Sequence, residues 1–199
     1  MKPTIALVDD DPIIRMDIRE MLEEHGYSVI GEARNGQEAI ELAACRKPDL
    51  ILMDVKMPRM NGIKAARLIR KFHEPAIVML TAYSQKETVE EARQSGVTAY
   101  LLKPVTEENL IPAIEIALSQ KERMDEMKEA LSQLKQSIED RKLVEKAKGI
   151  VMKAYALDEE GAYRKMRGAS MKSRLSLQQV AEHILEGRSE RLSGLAGNG

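Results

Sequence analysis

The chain has 199 residues, about one and a third times a typical domain of roughly 150, which suits one full domain and a smaller companion. Lys and Arg total 31 and Asp and Glu 32, a net charge of −1, which argues against a uniformly basic nucleic-acid binder or an acidic tail protein. Charged residues make up 32% and hydrophobic ones 43%, and that balance excludes a disordered chain. Cys45 is the only cysteine; it cannot form an internal disulfide and is expected to pack within a helix. No apolar run approaches the roughly 20 residues that span a bilayer, and Met1-Lys2-Pro3-Thr4 opens no signal peptide. A soluble cytoplasmic protein without a membrane partner is expected.

Short apolar runs recur at 5–8, 28–30, 50–53, 76–80 and 99–102. Each is strand-length without polar alternation, the pattern of a strand buried on both faces. Helical spacing lies between them. Ile14, Ile18, Met21 and Leu22 share a face; so do Ala39, Ile40, Ala43 and Ala44, then Ala65, Ala66 and Ile69, then Val89 and Ala92. Leu110, Ile114, Ala117 and Leu118 begin a fifth helix. Alternation of this kind predicts an α/β domain with a doubly wound, five-stranded parallel sheet over residues 1–120.

Such sheets bind ligands beyond the carboxyl ends of their strands. Asp9 and Asp10 follow the first strand, Asp54 the third, Thr81 the fourth, and Lys103, then Pro104, the fifth. Three acids on one edge repel unless a cation joins them, and oxygen ligands with open positions suit Mg²⁺. The set fits phosphoryl transfer. Asp54 is the candidate nucleophile, the metal spans it and Asp10, Lys103 neutralises a phosphoryl oxygen and Thr81 donates to another. The competing role for Asp9 and Asp10 is helix capping.

Beyond residue 107 the helical pattern continues. Met124, Met127, Leu131, Leu134 and Ile138 follow a heptad seam over a 121–140 linker. One reading is a coiled coil between two chains; the other is a single helix lying on its own domain. Residues 141–187 then predict a three-helix all-α unit. Leu143, Val144, Ala147, Ile150 and Val151 mark its first helix, and Ala162, Tyr163, Met166 and Ala169 its second. Leu177, Val180, Ala181, Ile184 and Leu185 mark its third, with caps at Asp158 and Ser176. Residues 188–199 read as a disordered tail.

The near-zero charge hides a split. Residues 141–191 hold 12 Lys or Arg against 7 Asp or Glu, a net of +5, and the remainder holds 19 against 25, a net of −6. A small basic unit after an acidic domain favours nucleic acid as its partner. Its last helix exposes Gln178, Gln179, Glu182, His183 and Glu186, a poor match to a DNA major groove. Gly149, Gly161 and Gly168 fall inside helices, where each costs roughly 1 kcal/mol relative to Ala. They serve either close helix packing or close approach of a ligand to the backbone.

VDDD at 8–11, LILMDVKMP at 50–58, Thr81-Ala82 and Lys103-Pro104 resemble the receiver domain of two-component response regulators, a flavodoxin-like fold. The resemblance implies that Asp54 is phosphorylated by a histidine kinase, and that Mg²⁺ is held by Asp9, Asp10, Asp54 and the carbonyl of Lys56. It also implies that Thr81 and Tyr100 form a switch pair, although simple packing also accounts for Tyr100. No catalytic role is expected beyond assisting the protein's own phosphorylation and dephosphorylation.

RKLVEKAKGIVM at 141–152, Ala162-Tyr163, Arg167, Met171 and LQQVA at 177–181 resemble an ANTAR domain, a three-helix RNA-binding module of transcription antiterminators. One departure is Ser170, where the family usually has Ala. The resemblance implies RNA contacts from Lys148, Gly149, Arg167, Lys172 and Arg174, with Ala147, Ala162, Tyr163 and Val180 in the core. It further implies a homodimer gripping tandem hairpins in nascent transcripts. The alternatives are a DNA-binding or a protein-sequestering output.

Overall fold

The computed structural model describes residues 2–82 and 97–187. The predicted helix carrying Val89 and Ala92, and the predicted tail, lie outside the described residues. Contacts divide the chain into two compact units, Met1–Glu126 and Met127–Gly199.

The first unit is built on five parallel strands: β1 (Thr4–Val8), β2 (Ser28–Ala33), β3 (Leu50–Asp54), β4 (Ala76–Thr81) and β5 (Ala99–Leu102), in the order β2-β1-β3-β4-β5. Among the described residues its helices are α1 (Pro12–Glu24), α2 (Gly36–Arg46), α3 (Gly62–Ile69) and the start of α4 (Glu107–Tyr155). Alternation along each strand sends neighbouring side chains to opposite faces. Ala6, Val8, Ile51, Met53, Ile77 and Met79 join Ala39 and Ala43 of α2 and Ala65, Ala66 and Ile69 of α3. Ile5, Leu7, Leu50, Leu52, Val78 and Leu80 join Ile18 and Leu22 of α1 and Leu110, Ile114 and Ala117 of α4. Both faces are covered, which is why the strands read as unbroken apolar runs. The sheet order reverses between β1 and β3, so the ends of those strands flank the crevice where ligands bind such folds.

Two expected packing residues face outward: Ala44 and Cys45 are exposed. The buried positions of α2 are Gly36, Ala39 and Ala43, and the helical turn carries residues 44 and 45 away from that line.

In the second unit the C-terminal part of α4 packs with α5 (Glu159–Ser173) and α6 (Leu177–Leu185). Its core is Ala147, Val151, Ala162, Met166, Ala169, Val180, Ala181 and Ile184. Asp158 caps α5 by accepting from the Gly161 amide at 2.8 Å. Ser176 and Gln179 form a reciprocal capping box on α6, which satisfies amides that the first turn leaves unpaired. Ile150 and Tyr163 were expected inside but are 44% and 42% exposed. On α5 the line 162, 166, 169 faces the core, and residue 163 lies about 100° further round.

Residues 121–154, which the sequence divides into a linker and a first output helix, all lie within α4. Met124, Met127, Leu131, Leu134 and Ile138 are all exposed. No helix among the described residues is long and apolar enough to cross a membrane.

Candidate phosphoryl-transfer site and output surface

The carboxyl ends of β1, β3, β4 and β5 meet at a cavity of about 280 Å³, lined by Asp9, Asp10, Asp54, Lys56, Thr81 and Lys103 among others. All six predicted residues of the acidic edge are therefore brought together. Asp9, Asp54 and Thr81 are buried, while Asp10 and Lys56 are exposed. The Lys103 ammonium lies 2.6 Å from Asp9 Oδ2 and 2.7 Å from Asp54 Oδ1. The Lys103–Pro104 peptide bond is cis.

Two carboxylates thus share one ammonium. Burial is the largest influence on Asp54 and raises its pKa; Lys103 opposes that, the charge of Asp9 adds to it, and the net shift is upward. Burial alone would lower the pKa of Lys103, but its hydrogen bonds to Asp54 and Asp9 raise it, so it stays charged. A surplus of negative charge on hard oxygen donors is chemistry that fits Mg²⁺. The described residues form no ready-made cage of three acidic, histidine or cysteine ligands.

Capping of α1 falls to neither Asp9 nor Asp10. Asp11 caps it, accepting from the Ile13 amide at 2.8 Å, and this leaves the other two acids to the cavity. Tyr100 is absent from the cavity lining. Its ring packs against the core layer on the α2–α3 side of the sheet, and its hydroxyl is buried with no hydrogen-bond partner among the described residues. Burial raises its pKa.

Two residues that support the site escaped the sequence reading. Gly62 begins α3 directly against β3, where a Cβ would collide with the Asp54 carbonyl. Arg15 is a charged residue only 8% exposed, and its Nη1 donates to the Asp9 carbonyl at 2.6 Å. Its place beside Ile14 and Ile18 on an otherwise apolar helix face was the available signal.

In the output unit, Arg167, Lys172 and Arg174 are exposed. Arg174 ends α5 in the left-handed conformation, φ 56°. Lys148 is 7% exposed, and its ammonium lies 2.6 Å from both Glu145 and Glu159. Gly149 and Gly168 face open space, since a Cβ at either meets nothing within 4 Å. The close-packing explanation therefore fails for both. Gly161 does have a neighbour, with Asp158 Oδ1 2.8 Å from where its Cβ would stand. Ser170 uses its extra hydroxyl to donate to the Leu175 carbonyl at 2.6 Å, closing the turn after α5.

Comparisons with known proteins match a different family to each end of the chain. The response regulator receiver domain family matches residues 5–115, and the ANTAR domain family matches residues 132–185. The transcriptional regulatory protein PdtaR of Mycobacterium tuberculosis is 45% identical over 182 residues, covering 92% of this chain and 89% of its own. The transcriptional regulatory protein YdfI of Bacillus subtilis is 32% identical over 77% of this chain and 79% of its own. Among solved structures, a LuxR-family response regulator from Aurantimonas matches with TM-score 0.57 and 33% identity, over 60% of this chain and 87% of its own. The chain belongs to the two-component response regulators, with a receiver domain followed by an ANTAR domain.

Proposed function

We propose that Asp54 accepts a phosphoryl group from a histidine kinase and that this modification controls RNA binding by the ANTAR unit, in transcription antitermination. The observation that carries the reading is Lys103 seated 2.6 Å from Asp9 and 2.7 Å from Asp54 at the sheet's topological switch point. In the transfer, the P–N bond to the kinase histidine breaks as a P–O bond to Asp54 forms. Asp9, Asp10, Asp54 and the Lys56 carbonyl would hold Mg²⁺, which offsets charge on the transferred group when bound. Lys103 neutralises a phosphoryl oxygen. Thr81 donates to another, and its movement is read by Tyr100 behind it.

The output then follows from charge and valency. A dimer formed through residues 120–140 and the output unit presents two basic surfaces at once. Two linked weak sites bind tandem hairpins far better than one, and an occupied pair of hairpins prevents a terminator stem from forming.

Incubation with Mg²⁺ and a small phosphodonor tests the first half: Asp54→Asn is expected to abolish labelling, and undiminished labelling overturns the assignment. A gel shift tests the second, with tandem-hairpin RNA expected to bind more tightly than duplex DNA and more tightly still after phosphorylation. Equal or better duplex binding would point to a DNA-binding output, and no nucleic-acid binding at low salt would point to protein sequestration.

A further inference from the structure

Arg15 is a charged residue on the inward face of α1, 8% exposed. Its guanidinium makes two directed contacts. Nη1 donates to the Asp9 carbonyl at 2.6 Å and Nε to Glu32 Oε2 on β2 at 2.9 Å. The other Glu32 oxygen takes Nε and Nη2 of Arg19 at 2.8 and 2.6 Å. Glu32 is thus held by two arginines, and it aims one of them at the β1–α1 turn.

The acceptor defines what this does. The Asp9 carbonyl belongs to the peptide that joins Asp9 to Asp10. Asp9 is already fixed elsewhere: its amide donates to the Ala33 carbonyl at 3.2 Å, and its carboxylate accepts from the Asp11 amide at 3.0 Å and from Lys103 at 2.6 Å. Asp10 is exposed, and among the described residues no comparable set of bonds is made to its carboxylate. Its direction depends on the plane of the peptide that precedes it. Burying a guanidinium is costly without partners, so this arrangement persists only because Glu32 and the Asp9 carbonyl both satisfy it.

We propose that Arg15, held by Glu32, is a positioning residue that sets the Asp9–Asp10 peptide so that both carboxylates can serve one divalent cation. The inference rests on the phosphoryl-acceptor reading of Asp54. A lysine could not replace Arg15, because a single ammonium lacks the planar fork that reaches two acceptors in fixed directions.

Calorimetric titration of the whole unphosphorylated chain with Mg²⁺ tests this. Groups that orient metal ligands cost 10- to 100-fold in affinity when removed, so Arg15→Lys is expected to weaken Mg²⁺ binding by roughly tenfold. Arg46→Ala, which removes an exposed arginine on α2 outside this network, is expected to leave it unchanged. The rate of labelling by a small phosphodonor should fall for Arg15→Lys at low Mg²⁺ and recover at saturating Mg²⁺. A general loss of structure would not show that recovery. Should Arg15→Lys fail to fold, Glu32→Gln is measured instead, with weaker Mg²⁺ binding expected. An Mg²⁺ affinity within about twofold of wild type in the folded variant overturns the inference, since removal of an orienting group costs far more than that. A wild-type protein that takes up no Mg²⁺ overturns the acceptor reading and the inference with it.

Discussion

The Lys148 ammonium lies 2.6 Å from the Glu159 carboxylate, joining the C-terminal part of α4 to the first turn of α5. Glu145, one turn back on α4, holds the same ammonium. The hydrogen bonds to both carboxylates keep Lys148 above its ordinary pKa. Lys148→Met is therefore expected to lower the denaturation midpoint of the output unit. A double-mutant cycle with Glu159→Gln should show coupling between the two sites. Arg167 is exposed, so Arg167→Ala should leave the midpoint alone. If it meets a phosphate, the salt slope of RNA binding should fall by about 0.7 to 0.9.

Gly149 and Gly168 sit inside α4 and α5 where a Cβ has open space. In an exposed helix interior, Gly→Ala stabilises by about 1 kcal/mol. If RNA approaches the backbone at these points, the added methyl group obstructs it. Gly149→Ala and Gly168→Ala are each expected to raise the melting temperature and weaken RNA binding together. Opposite signs in the two measurements cannot arise from damage to the fold. Higher stability with unchanged RNA affinity would remove these glycines from the interface.

Acid should loosen the receiver through two carboxylates. Burial alone would raise the pKa of Asp49, but hydrogen bonds from the Thr4 amide and hydroxyl, at 2.8 and 2.7 Å, overcome it and hold it low. Burial likewise opposes the charge on Glu32, and Arg15 and Arg19 hold it low. A carboxyl whose pKa is lower in the folded state leaves the unfolded state binding more protons, so stability rises with pH. The contribution is full above the ordinary values near 4 and is lost as pH falls through the lower folded values. Urea midpoints measured from about pH 6 to about pH 3 should show this decline, and Asp49→Asn should make it shallower.

What the sequence reveals of this molecule depends on whether a role is local. Ile5, Leu7, Leu50 and Leu52 declare a sheet covered on both faces because the pattern lies along each strand. Asp9, Asp54, Thr81 and Lys103 could be placed at one edge because parallel topology carries strand ends to the same side. The place of Arg15 on an apolar helix face signals a buried charge, but its supporting role was not legible, since its partner Glu32 comes from β2 and its acceptor is a backbone carbonyl. Lys148 was given by resemblance as an RNA contact, and its ion pair was not legible because Glu159 reaches it across the turn at 156–158. Tyr163 read as core because it stands beside Ala162, and a displacement of about 100° around a helix is enough to reverse that.

The seam on α4 makes the last prediction. Met124, Met127, Leu131, Leu134 and Ile138 are between 46% and 69% exposed, and they recur at alternating steps of three and four, the spacing of a coiled-coil interface. Around the seam's C-terminal end the surface is polar, with pairs such as Gln136–Asp140 at 2.8 Å and Lys142–Glu139 at 2.7 Å. Such pairs contribute only about 0.2–0.5 kcal/mol each to an isolated helix, so burial of the seam is the larger available gain. Each leucine sheltered by a second copy contributes at most about 1.5–3 kcal/mol, the value for a fully exposed side chain. Leu131→Asp with Leu134→Asp places four carboxylates in the proposed dimer seam, where like charges repel. Sedimentation of the phosphorylated protein should shift from dimer to monomer, while labelling of Asp54 stays at the wild-type rate. Affinity for tandem-hairpin RNA should then fall to that for a single hairpin, because the second binding event no longer benefits from linkage. A double variant that remains dimeric would place the interface elsewhere on the chain.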